Sequence, residues 1–420
     1  MRNTGLQNIS IYLGYLMVII SMYLLFSCQQ NNSQGKASVS QQDFLTFKIY
    51  EQADQSINYD QKVAASVQVF LNNEMVYWDT AQIKYRGGFS RAFAKKNFGV
   101  TFSRPYRLEN SPDRAKWVFN ANYIDKTFLR HKLSYDFFSA MDNTNIAPKS
   151  FFAEVYLNDF YQGLYVIMDR IDGQKLKEEV LASFPLIWKE PSVFMDNPYD
   201  NIEKPKNTFH QKSPHIDSSM HEHIMHDLVS FIHNSTDDIF IQNAFHYFSK
   251  SSIMDWHLLL LLSNNGDGVV KNFFLYKKDS LDKFHIAPWD YDHSYGRDGD
   301  NELNFLERGI NIQRNVLFHR LLKLNPDNYL QDLSERWRFH RKHLLTFNTI
   351  NNYIDENAEL IDSLVIRNNE IWPTSDTTWY YDTNSFSEEI ELMKNYFELR
   401  IPQLDSVFDR LYETSIYEIP

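Results

Sequence analysis

The sequence predicts an α+β chain, with strands first and helices after. Two periodicities and one bulk property carry that expectation. From about residue 44 to 170 apolar and polar residues alternate, as in "ASVQVFLN" and "AQIKYRG", the period of a half-buried strand. From about 220 onward apolar residues recur every three or four positions, the period of an amphipathic helix. Hydrophobic residues make up 43% of the 420 residues, with only 13 Gly and 13 Pro, so the chain is globular and long enough for a large core. A strand-rich first half and a helix-rich second half suggest two lobes.

The elements are taken in chain order. Arg2 is the only charged residue before position 28, and "ISIYLGYLMVIISMYLLF" is almost wholly apolar. "LFSC" follows, and Cys28 is the only cysteine. This resembles a bacterial lipoprotein signal, in which a small residue precedes a lipidated cysteine. The expectation is a signal peptide over 1–27, lipidation at Cys28, and a polar tether over 28–43. That places the chain in the cell envelope, held to the outer membrane through its lipid. An uncleaved transmembrane anchor is the alternative. The folded part is expected over 44–420. Strands are read at "NFGVTF", "FFAEVYLN" and "YQGLYVIMDRI", the last two joined by a turn at Asn158–Gly163. One helix, "DKTFLRHKLSYDFFSAMD", interrupts them, with Asp125 as its expected N-cap. Residues 186–220 show no period and read as a linker or insertion. Six helical segments follow, beginning with "SMHEHIMHDLVSFIHN" and ending with "FSEEIELMKNYFELRIPQLDSVFDRLYE".

A hairpin breaks this helical run at "NNGDGVVKNFFLYKKDSLDKFHIAPWDYDHSYG". If "NFFLYKK" and "KFHIAPW" pair about residue 281, Asn272 falls opposite Asp290. An amide oxygen beside a carboxylate suits a hard cation such as Mg²⁺, which takes few protein ligands and keeps its waters. Asp267 precedes Asn272 by five residues, the D-x-x-x-x-N spacing of kinase catalytic loops. Neither H-R-D nor D-F-G is present; "WDYD" stands in the latter's place. Taken singly, Asp267, Asn272, Asp290 and Asp292 read as turn and cap residues. Their joint spacing points instead to a nucleotide–metal site.

"APWDYDHSYG", "KNFFLY", "LRHKLSYDFFSAM", "APKSFFAEVYLNDFYQGLYVIMDRID" and "KYRGGFSRAFAKKNF" resemble the spore-coat-protein-H (CotH) kinase family in content and order, over roughly residues 44–300. The resemblance implies an atypical protein-kinase-like fold, with an N-lobe over about 44–185 and a C-lobe over about 186–420. It implies phosphate transfer from ATP to serine or threonine of a protein substrate, with Mg²⁺ or Mn²⁺. By position Asp267 resembles the catalytic aspartate, Asn272 and Asp290 the metal ligands, and Asp292 a supporting carboxylate. The resemblance also points to Lys95 as the phosphate-binding lysine. Gly87 and Gly88 read as a tight turn whose backbone approaches phosphate, with Arg86 and Arg91 adding charge. Two positions depart from the family: Gly88 replaces a usual Asn, and Asp169 replaces a common Glu.

Other motifs lead elsewhere. The net charge of −12 argues against nucleic acid as a partner. "DYDHSYGRDGDN" fails the EF-hand pattern, and "HEHIMH" lacks the second histidine of a zinc-protease helix at 225. "RWRFHRKH" is a basic run, either a solvated helix face or a dock for an acidic substrate. An exported chain meets little ATP, so a non-enzymatic surface assembly, adhesion or glycan-binding protein is the alternative function.

Overall fold

Alternating burial closes the first half of the chain into a barrel. The structure, a computed structural model, describes residues 44–52, 55–108, 113–199, 207–215, 221–298, 301–374, 378–414 and 417. The expected signal peptide, Cys28 and the tether lie outside the described residues. Strands β1 (Leu45–Glu51), β2 (Val63–Leu71), β3 (Glu74–Arg86), β4 (Asn97–Tyr106), β5 (Arg114–Asn120), β6 (Ser150–Leu157) and β7 (Phe160–Asp169) close in the order β1-β2-β3-β4-β5-β7-β6. Only β6–β1 pairs parallel. In β2 the buried residues are Val63, Ala65, Val67 and Val69, alternating with half-buried ones. Closure gives each strand a partner on both sides for at least part of its length, and Phe47, Trp117 and Tyr165 fill the interior. The expected β6–β7 hairpin is present. Its turn residues, Asn158 and Asp159, take the left-handed backbone that short hairpins favour.

Helix α1 (Arg130–Met141) lies between β5 and β6 in sequence. Its N-cap is Leu129, not Asp125. Asp125 instead organises the turn before it: its carboxylate accepts from the Thr127 and Arg130 backbone N–H groups and from the Arg130 guanidinium. Helix α2 (Gly173–Glu179), unforeseen in the sequence, follows the barrel and is capped by Asp172.

The supposed linker is structural. Its strands β8 (Leu186–Lys189) and β9 (Gln211–Ser213) join the hairpin strands β10 (Phe273–Lys277) and β11 (His285–Pro288) in a sheet ordered β11-β10-β8-β9. Helices α3 (Glu222–Val229), α4 (Asp237–Tyr247), α5 (Lys250–Ser263), α6 (Val316–Leu324), α7 (Tyr329–His343), α8 (Phe347–Ile371) and α9 (Phe386–Thr414) share one hydrophobic cluster with this sheet. Every residue of α5 from Ser252 onward is buried, so its leucine run is core. Among the described residues no helix is long and apolar enough to cross a membrane. From Asp43 onward the chain is one unit with two hydrophobic clusters, one inside the barrel and one centred on α5.

Candidate functional site

The site begins where α5 ends. Asn264 terminates the helix in the left-handed conformation, φ +52°. Asn265 then accepts the Gly268 N–H on Oδ1 at 2.9 Å, folding the loop back. A Cβ at Gly268 would meet Leu260 Cδ2 at 2.7 Å, so glycine lets the loop lie against α5. Asp267 opens a short 3-10 turn, and its side chain keeps 40% exposure. Lys271 reaches the carboxylate at 3.0 Å, a half-exposed pair that orients more than it stabilises.

The hairpin register differs from expectation by one residue. Phe273 faces Pro288, so Asn272 faces Trp289, whose N–H donates to Asn272 O at 3.0 Å. Asn272 and Asp290 nevertheless meet. Both take φ +61°, a conformation Asn and Asp tolerate better than most residues. The Asn272 Nδ2 then donates to Asp290 O at 3.1 Å. That bond turns the other end of the amide, Oδ1, away from the carbonyl.

Asp290 is held from a second direction by α1. Its N–H donates to Tyr135 Oη at 3.1 Å, and its Oδ1 lies 3.2 Å from His131 Nε2. His131, Asp290 and Asp292 each bring one donor atom within 4.8 Å of the others. His131 is buried, with 2% side-chain exposure, while Asp290 keeps 49%. The electrostatics split the two carboxylates. Crowding by the surrounding protein works to raise Asp290, but the His131 hydrogen bond and charge, with Lys189 and His293, hold it below the usual carboxylate range. Burial and the neighbouring Asp290 charge push Asp292 up. Two carboxylates so placed repel each other without a cation and are relieved by one.

Positive charge comes from two directions. The Arg86 guanidinium carbon lies 5.7 Å from the centre of the Trp289 ring, and Lys189 Nζ lies 5.9 Å from it. Crowding by protein, with the Arg170 charge, pushes the Arg86 pKa down to about 10, with Asp290 opposing. Gly87, at φ +130°, requires glycine: a Cβ there would collide with Ser90 Oγ. Gly88 has open space around it and φ −90°, so it does not.

Other expected residues go elsewhere. Arg91 lies over the Tyr59 ring, 4.4 Å from its centre. Lys95 was expected to grip phosphate, but it is 1% exposed and faces its own chain. Its Nζ donates to Ala121 O at 2.9 Å, to Leu164 O, and to Asn368 Oδ1 at 2.9 Å. Burial pushes its pKa well below the usual lysine value. The three ammonium donors are thus matched by three protein acceptors. Asp169 does not pair with Lys95; it meets Lys175 at 2.8 Å and Arg114 at 3.6 Å.

Three residues beside Asp290 were missed in the sequence: His131, Tyr135 and Lys189. The first two carried a signal. They stand four apart on one helix, so they share a face. Lys189 carried none, because it sits in the stretch that reads as a linker.

Comparison with known proteins bears on this arrangement. Residues 83–403 match the family described as CotH kinase protein. Inner spore coat protein H of Bacillus subtilis (strain 168) is 26% identical over 221 residues. That match covers 51% of this chain and 59% of the relative's length. The crystal structure of the Helicobacter pylori proinflammatory kinase CtkA aligns over 89% of this chain and 100% of its own, at 11% identity and a TM-score of 0.33. That score is too low to carry an argument about fold. The family match spans Arg86, α1, the loop after α5 and the whole hairpin, and on its extent the chain belongs to the CotH kinase protein family.

Proposed function

We propose that the chain is a metal-dependent protein kinase that moves phosphate from ATP to a serine or threonine hydroxyl of an envelope or secreted protein. In this reading the barrel and the helical region act as the two lobes of a kinase, and Cys28 ties the chain to the envelope by lipid. The observation that carries the reading is the convergence of His131, Asp290 and Asp292 beside Asn272, with Arg86 and Lys189 flanking Trp289. The donor set fits Mg²⁺ or Mn²⁺: two carboxylates and an amide oxygen are hard ligands, and the exposure of Asp290 leaves room for water. A bound divalent ion supplies charge that neutralises the phosphate oxygens.

The chain's own residues do the rest. Asp290 and Asp292 hold the ion, and the fixed Asn272 amide offers Oδ1 to it. Arg86 and Lys189 bring positive charge towards the phosphates, and Trp289 between them excludes water. Asp267 accepts the proton of the substrate hydroxyl, with Lys271 keeping its carboxylate oriented. Catalysis then rests on positioning and charge stabilisation.

The test uses the chain from residue 36 onward with labelled ATP and Mn²⁺, beside Asp290→Ala and Asp267→Ala. Labelling of a protein acceptor by the parent, lost in both variants, is the expected result. No labelling and no metal-dependent ATP binding by the parent would end the reading. One observation favours a second reading, a non-catalytic surface assembly protein on the same scaffold: Lys95 is committed to its own chain.

A further inference from the structure

We propose that His131 is itself a metal ligand, and that its nitrogen makes Mn²⁺ rather than Mg²⁺ the preferred ion. The inference rests on the metal-dependent reading above and deepens it. An imidazole in this place needs a reason, because it is buried on a helix whose apolar side chains are core. Leu129, Leu133, Phe137, Phe138 and Met141 of this segment are all buried. The ring does not float. Arg130 Nε donates to Ser294 O at 2.9 Å, Ser134 Oγ meets Tyr295 Oη at 2.9 Å, and Tyr135 receives the Asp290 N–H. These bonds fasten α1 to the segment that carries Asp290 and Asp292, so His131 is presented at a fixed height.

The spacing suits adjacent ligands. In an octahedral site with bonds of about 2.1 Å, neighbouring donors lie about 3 Å apart. Nε2 of His131 and Oδ1 of Asp290 stand 3.2 Å apart. The other ring nitrogen, Nδ1, is buried without a hydrogen-bond partner. With the proton on Nδ1, the Nε2 lone pair faces the Asp290 carboxylate, with the Asp292 carboxylate in the same cluster, an arrangement that a cation satisfies. With Nε2 protonated, in the neutral or the charged ring, it donates an ordinary hydrogen bond to Asp290. The two tautomers make different predictions about metals. Oxygen ligands bind Mg²⁺ and Mn²⁺ alike, whereas an imidazole nitrogen adds affinity for the transition ion. A hydrogen-bonded His131 would only orient Asp290 and would serve both ions equally.

Pulsed electron paramagnetic resonance of Mn²⁺ bound to the metal-free full chain decides between them. Nitrogen modulation of the Mn²⁺ echo is expected in the wild type. It should shift in frequency when the histidines carry ¹⁵N, persist in His293→Ala and vanish in His131→Ala. Direct titration should show His131→Ala weakening Mn²⁺ by about tenfold and Mg²⁺ by less than about twofold. Mn²⁺ that binds the wild type, is lost in Asp290→Ala, and shows no histidine nitrogen would overturn the inference and leave the kinase reading standing. Equal weakening of both ions by His131→Ala would overturn it too, making His131 a positioning residue. Failure of the wild type to bind Mn²⁺, with or without ADP, would overturn both. Should His131→Ala not fold, the ¹⁵N-histidine spectrum of His293→Ala decides.

Discussion

The two halves of the expected site fold in opposite senses. In the acidic half, from Asp267 to Asp292, the side chains turn outward: Asp267 and Asp290 keep 40% and 49% exposure. In the basic half, around residues 84–98, the cations turn inward or sideways. Lys95 is sealed in the chain, Arg91 covers Tyr59, and only Arg86 reaches the neighbourhood of Asp290. The difference is one of range. A hairpin fixes its own neighbours within about twenty residues, so spacing alone brings Asn272 and Asp290 together. The partner of Lys95 is Asn368, 273 residues away, and no local pattern announces it.

Substitutions can break this comparison or sharpen it. The largest effect is expected from Asp290→Ala, which removes a ligand of the proposed metal site from the outward-facing half. Phosphoryl transfer should fall by about a thousandfold, read as the rate of labelling, while the melting temperature barely moves. Lys95→Met tests the inward-facing half. It removes the ammonium from two carbonyls and an amide oxygen in a buried seam, and should cost about 3 kcal/mol in urea unfolding. The nucleotide affinity of the folded variant should stay within about threefold of wild type. A large loss of affinity with unchanged stability would return Lys95 to the nucleotide site and erase the contrast.

Gly163→Ala probes the same seam from the other side. Gly163 has φ +107°, and a Cβ there would collide with Asn368 Oδ1. The expected loss is about 2 kcal/mol in the same unfolding measurement. The smallest effect belongs to Lys189→Ala. Losing the charge proposed to meet phosphate should weaken ATP binding by about tenfold, measured by calorimetry, with stability nearly unchanged. Lys189 affinity effects beside Lys95 stability effects would fix which lysine serves ligand and which serves fold.

Much of the fold was legible because long periodic segments announce themselves. The α5, α7, α8 and α9 helices and the β6–β7 hairpin follow the pattern read from the sequence. The short pieces did not announce themselves. Helix α2 has seven residues and β8 four, too few for a period to register. Strand β8 is defined by pairing with β10, nearly ninety residues later. Charge runs misled for a related reason. "RWRFHRKH" reads as a basic face, yet Arg336 binds Asp255 and Asp142, Arg338 binds Asp409, and Arg341 binds Asp405. Those carboxylates come from α1's end, α5 and α9, so tertiary packing, not sequence, decides that the run is structural. In the site, spacing announced Asp267, Asn272, Asp290 and Asp292. His131 and Lys189 needed the packing of α1 and β8 to appear.

The seam around Gly163 has a consequence for how the chain matures. Strand β5 leaves β7 after Asn120 meets Val166, so the earlier residues of β7 lack a strand on that side. Side chains finish the ladder instead. Asn368 Oδ1 accepts the Leu164 N–H, Lys95 donates to Leu164 O, and Trp372 Nε1 donates to Gln162 O at 2.8 Å. Two of those three residues come from the end of α8 or just beyond it, far along the chain. During synthesis the barrel strands are complete some two hundred residues before the groups that seal them exist. A nascent barrel therefore carries an open strand edge, the kind of surface that recruits other strands. Between the making of β7 and the making of α8, that edge lacks the side chains that cover it.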